Sequence, residues 1–308
     1  MAEKIVSVFC VEQNFAEQRV DKGLFLQFPN YSRSYFQDII DRGCVLINDK
    51  PVKKGSLHVQ VNDKITVNFP PAKEYDLTPK HVDFEVVDVN DDFVVINKPA
   101  GLVVHPSDNN KDEASLIHGM LHRFKDFQNF TDDQRPGVVH RIDRETSGLI
   151  LVARNEFSQR TLISMFEHRQ IHKTYLAVVA RHPHKIGKIE LPVGRDPVHR
   201  HKMSHKGIGC RDALTFFDVL TYYKDSSLLA VRIITGRTHQ IRVHMAALGH
   251  GLVGDSVYGY KSKLIDRQAL HAWKLSFEYN GKKFEYVQPV PEDMKTLLHN
   301  LKHGQSFK

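Results

Sequence analysis

The sequence predicts an α+β protein in two parts: a small αβ unit, then a larger strand-rich domain built on a central mixed or antiparallel sheet. Three observations predict it. The chain has 308 residues, more than one ordinary domain needs. Helical periodicity in its first forty residues gives way to prolines and charges at 70–79. Beyond His81, candidate strands and helices do not alternate regularly, which disfavours a doubly wound sheet. The expected boundaries are 1–70 for the first unit, 71–80 for a linker and 81–308 for the second domain.

The elements follow in order. Residues 5–11 are apolar but short and flanked by Glu3, Lys4 and Glu12, so they read as a strand rather than a signal peptide. Val20, Leu24 and Phe28 are spaced by four, which predicts a helix over 19–28, broken by Pro29-Asn30. Ser32 is placed to cap a second helix over 33–42, and Gly43 to end it. Strands are expected over 45–48 and 64–69, with Asp49-Lys50 turning after the first. After the linker, strands are expected over 86–89, 93–96, 149–152, 174–179, 214–220 and 228–234. Helices are expected over 115–123, 156–169 and 238–248. There is no internal repeat.

Composition excludes several classes. Hydrophobic residues make up 41% and charged residues 26%, as in ordinary globular protein. No apolar run approaches a membrane span, so no membrane partner is expected. Cys10, Cys44 and Cys210 form no disulfide framework, and reduced thiols in the cytoplasm are the plain reading. The net charge of +7 is uneven. Residues 181–211 hold eight Lys/Arg against Glu190 and Asp196, which fits either a polyanion partner or a solvated basic hairpin. Walker A, GxGxxG, HExxH and GxSxG patterns are all missing. Among the 19 histidines, His199 and His201 would share one strand face. His239 and His244 are five apart, a poor spacing for one helix face. No cysteine or carboxylate joins them at zinc-like spacing, so no metal is expected.

Residues 135–154 place a polar cluster, His140-Arg141-Ile142-Asp143-Arg144-Glu145, between two apolar stretches. Charges that interrupt a strand-like run are costly unless they pair or do chemistry. Thr146-Ser147-Gly148 reads as a tight turn into the strand at 149–152. Asp143 between two arginines then has two readings from the residues alone: a fixed nucleophilic carboxylate or a structural ion pair.

Two resemblances bear on that choice. Arg19-Val20-Asp21-Lys22, Ser32-Arg33-Ser34, Asp41-Arg42-Gly43, Ile47-Asn48, Val52-Lys53-Lys54 and Asn62-Asp63 resemble the S4 RNA-binding module. That resemblance implies RNA-facing roles for Lys22, Arg33, Arg42, Lys53 and Lys54, by phosphate contact. Residues 1–70 hold nine Lys/Arg and eight Asp/Glu, so binding requires their charges to be segregated. The segment around Asp143 resembles the signature of the RluA family of pseudouridine synthases. Further similar blocks follow in order: Asn97-Lys98-Pro99-Ala100-Gly101 through Pro106, Lys173-Thr174-Tyr175-Leu176-Ala177, Thr235-Gly236-Arg237-Thr238-His239-Gln240-Ile241-Arg242-Val243-His244, and Gly254-Asp255-Ser256. Two departures occur: Arg144-Glu145 where Lys/Arg-Asp is common, and Phe277-Glu278-Tyr279-Asn280 where the family often has Phe-x-His-Pro.

The resemblance implies a catalytic set. Asp143 would be the nucleophile, or the base that starts glycosidic cleavage. Tyr175 would pack against the target base. Arg242 would pair with Asp143, keeping it ionised and oriented, and would project from a helix capped by Thr238. His140 and Arg141 would fill the gap left by a flipped nucleotide, or else support the loop. No cofactor is implied, because nothing is oxidised and no group is supplied. An S4-like unit ahead of such a domain resembles the branch acting on large-subunit ribosomal RNA. That predicts a monomeric enzyme with ribosomal RNA as partner, the D type first, the C type second and tRNA third. A non-catalytic assembly factor would be expected to lack Asp143, Tyr175 or Arg242. A glycosidase would need a second suitably spaced acid, for which Glu145 is the only obvious neighbour.

Overall fold

A computed structural model of the chain describes residues 5–13, 15–29, 31, 33–70, 75–106, 113–130, 135–199 and 201–308. The chain divides into two compact units, 1–74 and 75–308.

The first unit contains β1 (Ile5–Cys10), α1 (Val20–Gln27), α2 (Arg33–Asp41), β2 (Val45–Ile47), β3 (Lys50–Pro51) and β4 (Lys64–Phe69). Its antiparallel sheet has the order β1-β4-β2-β3. Val20 and Leu24 from α1, Phe36, Ile39 and Ile40 from α2, and Val45, Ile65 and Val67 from the sheet form one core. Burying these side chains contributes roughly 1.5–3 kcal/mol each. Ser32, expected to cap α2, lies outside the described residues. Gly43 ends the helix with φ +71. The turn after β2 falls one residue earlier than expected, on Asn48 and Asp49, both with positive φ. Asn and Asp tolerate that conformation, and Lys50 is then free to open β3.

The second unit contains β5 (Glu85–Val89), β6 (Phe93–Lys98), α3 (Leu116–Arg123), β7 (Ser147–Ala153), α4 (Glu156–Glu167), β8 (His172–Ala180), β9 (Ile186–Glu190), β10 (Val193–Arg195), β11 (Met203–Ser204), β12 (Ile208–Arg211), β13 (Leu214–Tyr222), β14 (Ser226–Ile233), α5 (Gln240–Ala247), β15 (Leu270–Tyr279), β16 (Lys282–Val287) and α6 (Glu292–Lys302). The main sheet runs β5-β6-β7-β15-β8-β14-β13-β9, with β16 on β15. Only β7 and β15 pair in parallel, so the sheet is mixed. β15, the last long strand, is inserted at its centre.

β7 is buried along its whole length because both faces are covered. Leu149 and Leu151 pack with Leu162 and Met165 of α4. Ile150 and Val152 pack with Leu116, Ile117 and Met120 of α3. The expected turn at Thr146-Ser147-Gly148 is instead the start of this strand. Gly148 has φ +108, and a Cβ there would stand 2.3 Å from the Ala272 carbonyl oxygen of β15. Only glycine lets the two strands approach so closely.

Residues 71–74 of the expected linker lie outside the described residues. Asp76 accepts a bond from His118 Nε2, and Lys80 N donates to the His118 carbonyl, so both are tied to α3. His199 and His201 lie in the turn between β10 and β11, not on a strand face, with ring centroids 6.0 Å apart. No group of three metal-ligating side chains occurs among the described residues. No helix there is long and apolar enough to cross a membrane.

Candidate active site

The loop leading into β7 carries Asp143 at the edge of a cleft lined by Arg141, Tyr175, Gly236, His239 and Arg242. Ile142 anchors this loop by packing in the core with Tyr175, Ile241 and Leu270. The backbone between Asp143 and Thr146 closes a turn, with Thr146 N donating to the Asp143 carbonyl at 3.1 Å. Three basic side chains hold the loop from behind. Lys98, fully buried, donates to the carbonyls of Pro99, Leu102 and Arg144. Arg267 donates to the Glu145 carbonyl and forks onto Asp293. Arg144 Nε donates to the Gly101 carbonyl.

Arg242 is the third residue of α5 and is 6% exposed. Its Nη1 donates to Asp143 Oδ2 at 3.1 Å. Its Nε and Nη2 fork onto Asp255 at 2.7 and 2.9 Å. Asp255 Oδ1 also accepts from the amides of Val257 and Tyr258. One buried guanidinium thus serves two carboxylates unequally. Burial opposes charge on Asp255, but the Arg242 fork and the two amides outweigh it and hold the carboxyl below its ordinary range. Burial likewise opposes charge on Arg242, but the interactions with Asp255 and then Asp143 outweigh it and raise its pKa. Asp143 receives a single N–H, from Nη1, and its side chain is 18% exposed.

Thr238 does not cap α5, contrary to the sequence expectation. His239 is the N-cap residue, left-handed at φ 56 and without a side-chain capping bond. Gln240 organises the turn instead: its Oε1 accepts from Arg237 N and from Thr235 Oγ1. The left-handed turn brings His239 Nδ1 to 2.8 Å from Tyr258 Oη. That hydroxyl already accepts from Met203 N, so the network assigns its proton to His239 Nδ1, leaving Nε2–H facing Asp143 Oδ1 at 4.0 Å. Burial keeps His239 below its ordinary pKa despite the nearby Asp143.

Tyr175 lies on β8, facing the cleft and 6% exposed. Burial, and then the Asp143 charge, push its hydroxyl above the ordinary tyrosine range, so it stays protonated. His140 is tied to β7, its Nε2 accepting from Leu151 N at 2.8 Å, and its ring lies 4.5 Å from that of Phe166. Burial, and then the Lys173 charge, bring it down to about 3. That is the geometry of loop support. Arg141 is exposed and has no ion pair or hydrogen bond among the described residues.

Asp143, Tyr175 and Arg242, far apart in the sequence, therefore meet. Asp255, His239 and Tyr258 complete the site without having been singled out for it. Asp255 supplies the second anion that a buried arginine facing one partly exposed carboxylate requires, a need that shows only once the burial of Arg242 is known.

In the first unit, Lys22, Lys53 and Lys54 are exposed with no ion pair among the described residues. Arg33 is bonded to Asp21, and Arg42 to Asp38. Asp21 N donates to the Gly55 carbonyl, which sets the Lys53-Lys54 loop beside the Arg19–Asp21–Arg33 cluster.

The chain is similar to known proteins over most of its length. The family model described as RNA pseudouridylate synthase matches residues 92–247, and the S4 domain model matches residues 18–65. An uncharacterized RNA pseudouridine synthase, YlyB, of Bacillus subtilis (strain 168) is 36% identical over 92% of this chain and 94% of its own. Ribosomal large subunit pseudouridine synthase D of Zymomonas mobilis is also 36% identical, over 92% and 93%. The solved structure of Human RNA Pseudouridylate Synthase Domain Containing 1 superposes with a TM-score of 0.56 at 27% identity, covering 68% of this chain and 84% of that one. With a synthase domain built around this cleft and an S4 domain ahead of it, the chain belongs to the RNA pseudouridylate synthase family.

Proposed function

We propose that the protein isomerises uridine to pseudouridine in large-subunit (23S) ribosomal RNA, with Asp143 as the catalytic residue. The observation that carries this reading is the unequal sharing of Arg242. Asp255 takes the fork, and Asp143 is left oriented yet open to the cleft beside Tyr175. Asp143 starts cleavage of the C1′–N1 bond, as nucleophile or base. The freed uracil turns against Tyr175, the C1′–C5 bond forms, C5 loses its proton and N1 gains one. Composition is unchanged, so the reaction calls for no cofactor. Arg242 orients Asp143 throughout.

The base must leave its stack to reach Asp143. Arg141, exposed at the rim and with no ion pair among the described residues, is suited to fill the gap, while His140 supports the loop. Lys22, Arg33, Arg42, Lys53 and Lys54 supply phosphate contacts from residues 1–70, joined through 71–80 to the catalytic domain, 81–308. The protein acts as a monomer in the cytoplasm. The ribosomal substrate is supported by the large-subunit synthases named D that match across most of the chain.

The test has two parts. Asp143→Asn protein is expected to bind RNA and make no pseudouridine; retained isomerisation removes Asp143 from the mechanism. Mapping pseudouridines in ribosomal RNA and tRNA from cells with and without the protein is expected to show positions lost from large-subunit RNA. Loss from tRNA alone overturns the substrate.

A further inference from the structure

Lys173 lies two residues before Tyr175 on β8, so both side chains leave the same face of the sheet. Lys173 is only 9% exposed. Among the described residues it has no carboxylate and no hydrogen-bond acceptor; its one close partner is the Phe166 ring, 4.9 Å from Nζ. An ammonium buried without an anion is costly, and burial alone brings this one down to about 8.

Lys173 lines a cavity of about 420 Å³ that continues from the cleft over Asp143, the two sharing Arg141, Tyr175, Gly236 and Arg237. Arg169 also lines it, left-handed at φ 62 just beyond α4. Among the described residues Glu167 is its only carboxylate. Arg237 is lowered from its ordinary pKa by burial and then by the nearby Arg211 charge. The cavity is thus rimmed by three arginines and floored by one lysine, against a single acid, directly beside the catalytic carboxylate. Such a set lacks an anion.

We propose that this cavity is a phosphodiester subsite, in which Lys173, with Arg169 and Arg237 at the rim, takes the backbone phosphate beside the flipped uridine. The inference rests on the reading that the neighbouring cleft holds that uridine. A phosphate supplies the missing charge and offers several acceptors to an ammonium that has none. It carries no base identity, so the contact sets register and leaves sequence choice elsewhere. Anchoring the strand two residues from Tyr175 fixes where the extruded base enters.

The test uses the full chain and small probes that need no knowledge of the RNA target: uridine 3′,5′-bisphosphate, uridine and inorganic phosphate, titrated by calorimetry. The bisphosphate is expected to bind at least about tenfold more tightly than either of the others, as charge-assisted contacts to one phosphate imply. Lys173→Met, which keeps the buried stem, is expected to erase that advantage. Arg169→Gln, at an exposed position, is expected to reduce it about threefold in the same direction and guards against misfolding of the first variant. Equal affinity for bisphosphate and uridine in the wild type overturns the subsite, as does an undiminished advantage in both variants. Inorganic phosphate binding as tightly as the bisphosphate makes this a free-anion site and overturns the phosphodiester. A third arm uses unmodified large-subunit RNA transcript. There Lys173→Met is expected to reduce the slope of log affinity against log salt by about one. If the wild type does not bind the transcript, the ribosomal substrate fails while the bisphosphate result still decides the subsite.

Discussion

The Asp21 cluster of the first unit and the Arg242 cluster of the second join arginine to carboxylate in opposite proportions. In the first unit a single buried carboxylate, Asp21, holds two half-exposed arginines, Arg19 and Arg33, at 2.9 and 3.1 Å. In the second a single buried arginine, Arg242, holds two carboxylates, Asp143 and Asp255, at 3.1 and 2.7 Å. The first arrangement leaves surplus positive charge at the surface, suited to a polyanion. The second leaves surplus negative charge in a cleft, on whichever carboxylate receives fewer donors. Asp255 has the fork and two amides; Asp143 has one N–H. The difference teaches that proportion and burial together decide whether an ion pair binds, supports or reacts.

The sharpest way to break the second cluster is to neutralise the member proposed to react, Asp143. Asp143→Asn is expected to lower the single-turnover rate of pseudouridine formation by more than about 10³-fold. Its thermal midpoint should stay within a few degrees of wild type, because Asp143 is only one of Arg242's two anions. Neutralising the supporting member should invert that pattern. Asp255→Asn leaves a buried guanidinium short of charge and is expected to cost roughly 3–5 kcal/mol in denaturant unfolding. An equal loss of stability in both variants would erase the distinction between them.

Breaking the first cluster should have a smaller, local effect. Asp21→Asn frees two half-exposed arginines that water can solvate, and is expected to cost about 1–3 kcal/mol. Hydrogen–deuterium exchange on the full chain should then rise across α1 and α2 while β7 and β8 are unchanged. Burial opposes charge on Asp21, but its bonds to Arg19 and Arg33 leave the folded pKa below the unfolded one. Its contribution is therefore present above the ordinary carboxyl range and lost as pH falls below it. Exchange in the first unit should accelerate on acidification, and less so in Asp21→Asn.

The smallest expected effect tests the cation beside the cleft. Lys173 faces His140, Glu167, Arg169 and Arg237, and burial has brought its pKa to about 8. As pH rises through 8 the free protein loses this charge and binding must take up a proton, so RNA affinity should decline. In Lys173→Met the same titration should be flatter.

Much of this was legible in the sequence, for reasons that differ by element. Val20 with Leu24, and the apolar run from Leu149 to Ala153 in β7, announce themselves because burial imposes a local pattern. Asp143, Tyr175 and Arg242 were legible only together, through ordered motifs; each alone fits an ordinary salt bridge or core tyrosine. The N-terminus of α5 was misread because Thr238 has the right chemistry for a cap. Gln240 and the left-handed His239 do the work through partners at Thr235 and Tyr258, which no local window contains. β15 was missed for a related reason: nothing in residues 270–279 indicates two partners more than ninety residues away.

That strand has a consequence for how the protein is made. Ser147 and Gly148 pair with His271 and Ala272, and Ser147 Oγ donates to His271 Nδ1, a link across 124 residues. On the ribosome the loop bearing Asp143 emerges long before its partner strand. Until β15 slots between β7 and β8, both strands expose an unpaired edge. A nascent chain truncated before residue 270 therefore has Asp143, Tyr175 and Arg242 but lacks the strand that joins β7 to β8. The two edges are expected to close only late in synthesis, when β15 pairs with β7 in parallel.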